Sequence, residues 1–149
     1  MRKIEKEVIG AFINSTNKTM GSTTSVRNPV TRDMDLLLHG NRIATMSNRD
    51  GVRKLWVSCG GYEKYGIPVP SRTTQSRLNA LFRLVRDRWP EDHVTARVYI
   101  KGNVQYLDVD HWREGGISTT INLMALRKSA VLVSDVGLGK NTNLPVTDR

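Results

Sequence analysis

The sequence predicts an α+β fold, in which antiparallel β-hairpins pack against an N-terminal and a central helix and an extended C-terminal tail follows. Three observations predict it. Apolar residues recur at helical spacing in two separate segments. Short alternating runs joined by Gly and Asn occupy most of the remaining chain. The last stretch, GLGKNTNLPVTDR, has little to bury. At 149 residues the chain suits one domain, placed at residues 1–136, with residues 137–149 as a tail that a partner could order.

Residues 2–13 read as an amphipathic helix. Ile4, Val8, Ile9, Phe12 and Ile13 share one face, and Arg2, Lys3, Glu5, Lys6 and Glu7 point elsewhere. Residues 14–25 (NSTNKTMGSTTS) read as a linker or ordered loop, because Asn, Ser, Thr and Gly divert backbone bonds into turns. Residues 34–38 and 42–46 are two short strands joined by His39-Gly40-Asn41, where Gly and Asn tolerate positive φ. A second turn at residues 48–51 leads to a third strand at 53–59, which completes an antiparallel meander. Alternation there does not fix the face that Trp56 occupies.

Residues 62–70, with Gly66, Pro68 and Pro70, form a loop. Ser71 or Thr73 then opens a helix that runs to about Trp89 and stops at Pro90. Residues 94–100 and 104–109 alternate on either side of Lys101-Gly102-Asn103 and form a hairpin. Residues 117–123 and 129–136 are further candidate strands.

Charge narrows the function classes. With Lys+Arg 23 against Asp+Glu 14, the net charge is +9, which favours polyanionic partners, nucleic acid above all. Residues 1–92 carry 16 basic and 9 acidic side chains, and residues 93–149 carry 7 and 5, so the surplus lies in the first part. Arginine outnumbers lysine by 15 to 8, and its planar fork suits bidentate phosphate or base-edge contacts. No apolar run is long enough to cross a membrane. The first residues, MRKIEKEVIG, lack the apolar stretch of a secretory leader. The single cysteine excludes an internal disulfide and suits a reducing cytosol.

The segments LLLHGNRIATM and WVSCGGYEKYGIPVPSRTTQSRLNALFRL contain an LHGN-x-IA strand pair and a TT-x-x-RLN-x-L helix start. The residues concerned are Leu38, His39, Gly40, Asn41, Ile43 and Ala44, then Gly61 and Tyr62, then Thr73, Thr74, Arg77, Leu78, Asn79 and Leu81. Residues 34–84 thereby resemble a group of small proteins encoded by tailed bacteriophages. The IPVPS stretch before the helix is longer than the loop usual in that group. The resemblance implies a phage origin and part of the topology. It implies no catalytic residues.

Catalytic and metal-binding constellations are not evident. Asp108, Asp110 and His111 are close in sequence, but on an extended strand His111 points away from both aspartates, so no metal site is expected. Cys59 could pair with His39 only as a nucleophile in an open, positive setting, and its alternation with apolar residues favours a core thiol. Neither Ser58-Cys59-Gly60-Gly61 nor Gly137-Leu138-Gly139-Lys140 makes a Walker A loop. Asp33 and Asp35 sit at a strand entrance. The chain is read as a non-enzyme without a cofactor.

The central helix carries the functional expectation. Leu78, Leu81, Phe82, Val85 and Trp89 form its apolar stripe, while Arg72, Gln75, Asn79, Arg83 and Arg86 gather opposite, at about 100° per residue. Arg77 and Arg88 flank the stripe, and Asp87 is the helix's one acid. Arginine with Asn or Gln on one face is the chemistry that touches phosphates and base edges. The expected nucleic-acid-binding set is Arg72, Gln75, Arg77, Asn79, Arg83 and Arg86. The bland counterpart is a solvated outer face. The expected partner is nucleic acid or a host nucleoprotein complex in the host cytoplasm, without membrane contact, and a protein partner could engage the tail. The alternatives are an inhibitor of a host defence or transcription protein and a virion component.

Overall fold

The apolar face of the first residues is helical from the start. In the computed structural model, which describes residues 1–49, 51–92, 94–111, 117–135 and 145–146, a π-helical turn, Glu5–Ile9, runs into α1 (Gly10–Ile13). Val8, Ile9 and Phe12 are fully buried, and so, against the expectation of an outward side chain, is Glu5.

Residues 14–25 are more ordered than their composition suggests. They contribute β1 (Lys18–Met20) and most of β2 (Thr23–Arg27), an antiparallel hairpin turning at Gly21, whose φ is +60°. Its buried side chains are hydroxyls instead of hydrocarbons. Thr23 and Ser25 are solvent-inaccessible, and the Ser25 hydroxyl donates to the Thr16 carbonyl at 2.8 Å. A hydrophobic alternation therefore never appears, although β-branched threonine favours strands.

The meander follows as expected: β3 (Met34–Leu38), β4 (Asn41–Arg49) and β5 (Val52–Val57) pair antiparallel in sequence. His39 and Gly40, both at positive φ, form the tight turn that matches strand twist. The predicted loop at 62–70 contains a miniature hairpin, β6 (Glu63–Lys64) with β7 (Ile67–Pro68).

The central helix is α2 (Arg72–Arg88). Ser71 caps it by accepting the Thr74 N–H at 3.1 Å. Past its end, a short 3₁₀ turn spans Pro90–Asp92. β8 (Thr95–Lys101), β9 (Val104–His111) and β10 (Ile117–Asn122) then form a three-stranded antiparallel sheet.

A 3₁₀ turn at Leu123–Leu126 returns the chain to the first sheet. There β11 (Ala130–Asp135) joins β5, and β12 (Pro145–Val146) joins β11. The strand order is β1-β2-β3-β4-β5-β11-β12. Residues 145–146 are thus paired where an extended tail was expected, and the rest of 137–149 lies outside the described residues.

The hairpins before and after α2 therefore build two main sheets, and they share a core. Phe12, Leu36, Ile43, Val57, Leu78, Leu81, Val98, Leu107 and Val131 belong to a single buried cluster spanning both sheets and both helices. Trp56 lies on the other face of the large sheet, in register between Thr45 and Leu132, and all three are buried.

Candidate nucleic-acid interface

The polar residues of α2 divide into two groups. Arg77 is only 5 % exposed. Its guanidinium donates to Glu5 Oε2 at 2.9 Å and to Thr23 Oγ1 at 3.1 Å. Glu5 also accepts from the Ser76 hydroxyl and from the Arg2 backbone N–H. Burial pushes the Glu5 carboxyl up, but the bonds from Ser76, Arg2 and Arg77 outweigh it and hold the group below its ordinary range. Arg77 is therefore corrected from the binding set to an internal tie between the N-terminal helix, β2 and α2. Position flanking an apolar stripe is where a buried arginine can reach a carboxylate, and Glu5 shares the spacing of Ile9 and Phe12. Each signal marks one partner as inward-facing, but neither joins two residues so far apart in the chain.

Asn79 is also engaged. Its amide donates to the Val98 carbonyl at 2.9 Å and its oxygen accepts the Val98 N–H at 2.8 Å. The side chain satisfies the outer edge of β8 much as a neighbouring strand would. Its amide is thus part of the scaffold, although the residue is half-buried and lines the groove of Arg72 and Arg83.

The second group faces solvent. Arg72, Arg83 and Arg86 are exposed, and Gln75 is half-buried. Arg72, Gln75 and Arg83 line one groove of about 390 Å³ together with Met1, Ser76, Asn79 and Glu5, whose carboxylate is held by Arg77. Elsewhere among the described residues, four arginines pair with carboxylates. Arg49 pairs with Asp33, Arg53 with Asp92 and Glu91, Arg97 with Asp108, and Arg127 with Glu63. The Asp92 carboxylate grips Arg53 at 2.6 and 2.8 Å and raises its pKa. Among the described residues none forms an ion pair or hydrogen bond with the guanidinium groups of Arg72, Arg83 or Arg86.

The remaining candidates have structural partners. Cys59 is buried, its thiol lies 3.4 Å from the carbonyls of Leu123 and Arg127, and burial pushes its pKa up. His39, Asn41, Tyr62 and Thr73 line a cavity of about 200 Å³ with it, where the β3–β4 turn meets the start of α2. Asp108 accepts from Arg97, Tyr99 and Thr120, and these bonds hold its carboxyl low despite the opposing effect of burial. Asp110 accepts from Ser118. Among the described residues no group of three or more His, Cys, Asp or Glu is placed to hold a metal ion, and no helix is long and apolar enough to cross a membrane.

No curated protein and no solved structure matches this chain. The family model described as the Kyanoviridae Gp96 protein matches residues 1–116, most of the chain and all of α2. Kyanoviridae are tailed phages, which agrees with the origin implied by the sequence. The chain belongs to the Kyanoviridae Gp96 protein family.

Proposed function

We propose that this phage protein binds nucleic acid, or a host complex containing it, through the outer face of α2, and that it does so by electrostatic attachment without chemistry in the host cytoplasm. One observation carries the reading: Arg49, Arg53, Arg77, Arg97 and Arg127 hold carboxylates, whereas Arg72, Arg83 and Arg86 stand on one helix face with no acidic partner among the described residues. Arg72 and Arg86 are about 21 Å apart along the axis at 1.5 Å per residue. That length suits several successive phosphates of a backbone. Gln75 between them adds a donor and an acceptor.

Replacing Arg72, Arg83 and Arg86 together by Ala tests the reading. Retention on immobilised DNA or RNA is expected to be lost. Thermal stability should stay nearly unchanged, because exposed substitutions usually fall within about 0.5 kcal/mol. Retention equal to that of the wild type would contradict the proposal.

A further inference from the structure

The hairpin just before α2 displays its largest side chains to water. Tyr65 is 95 % exposed, Ile67 63 % and Tyr62 44 %. Tyr65 occupies the first turn position at φ +53°, followed by Gly66 at +75°. Asn or Gly adopts that left-handed conformation more easily than an aromatic residue does. Local folding therefore does not explain the ring.

The hairpin also stands beside the arginine row. The Val69 N–H reaches the Tyr62 carbonyl at 3.4 Å, and Arg72 is three residues further on, within about 11 Å of extended chain. The surroundings are cationic. Glu63, the one acid between residues 59 and 86, is held by Arg127 at 2.6 Å. Lys64 lies within the hairpin and Arg72 opens the helix that follows it, while Arg83 and Arg86 continue the row about 16 and 21 Å further along the axis.

We propose that Tyr62 and Tyr65 form a base-stacking platform at the end of the α2 arginine row, and that the nucleic acid bound is single-stranded. This rests on the reading of α2 as the phosphate-binding face. Two rings and an isoleucine offer far less than the roughly 1,000 Å² that a stable protein interface needs. A stacked base needs only a ring face beside a cationic backbone track. Duplex bases, stacked on each other, cannot use the rings.

The test is fluorescence anisotropy with labelled oligonucleotides of about 20 units: single-stranded DNA, single-stranded RNA and duplex DNA. Tyr65→Ala should weaken binding to at least one single strand by about fivefold or more. Tyr65→Phe should restore it, and duplex affinity should change less than twofold. The strand that responds distinguishes DNA from RNA. Tyr65→Gly suits the turn and lacks the ring, so it should weaken single-strand binding without lowering the melting temperature. If the tyrosine variants leave both single strands unaffected while the triple arginine variant weakens them, stacking is overturned, the electrostatic reading survives and the hairpin is left for a protein contact. If the wild type binds none of the three probes, both proposals fall.

Discussion

Arg77 and Arg83 lie on the same helix and differ in what surrounds the guanidinium. Arg77 is enclosed with Glu5, so Arg77→Ala would strand a buried carboxylate and should cost about 3–5 kcal/mol. Arg83→Ala should stay within about 0.5 kcal/mol. Urea unfolding of the two variants checks the contrast, and equal effects would contradict it. The Glu5 carboxyl is held below its ordinary value of 4.5. It therefore adds stability that is present above that pH and is lost as pH falls through the folded value. Glu5→Gln should be the less stable protein at pH 7, and its deficit should shrink below about pH 4.5. A deficit constant with pH in urea midpoints would refute this. At this scale the sequence showed which side of α2 was polar. It did not show that Arg77 and Asn79 were spoken for, because their partners, Glu5 and the Val98 backbone, are distant along the chain.

At the scale of elements, α2 is joined to the three-stranded sheet through the edge of β8. Asn79→Ala would leave the Val98 N–H and carbonyl without their partner, at about 1–3 kcal/mol. Hydrogen exchange should accelerate at Val98 and its β8 neighbours more than in the β3–β5 meander. Uniform acceleration throughout the protein would contradict a local role. The elements that were legible in the sequence are those with strong local signals: the meander with its Gly and Asn turn, α2 between Ser71 and Pro90, and the β8–β9 hairpin turning at Gly102 and Asn103. The β1–β2 hairpin was hidden because its inward residues, Thr23 and Ser25, are polar and are satisfied by partners elsewhere in the fold. The pairing of β11 with β5 was hidden for another reason, since long-range register leaves no mark in either strand alone.

Over the whole molecule, the ion pairs of Arg49, Arg53, Arg77, Arg97 and Arg127 use up acids as well as bases and so leave the net charge of +9 unchanged. The arginine row of α2 is the part of that surplus to which we assign phosphate contact. Matching of residues 1–116 to a tailed-phage family gives the chain its setting, and the role we propose rests on the surface. The most direct test is the salt dependence of binding to a single-stranded oligonucleotide, comparing the wild type with the protein in which Arg72, Arg83 and Arg86 are Ala. Each phosphate contact on a single strand contributes about 0.7 to the slope of log K against log salt, so losing three should reduce that slope by about 2. Identical slopes and affinities for the two proteins would contradict the account.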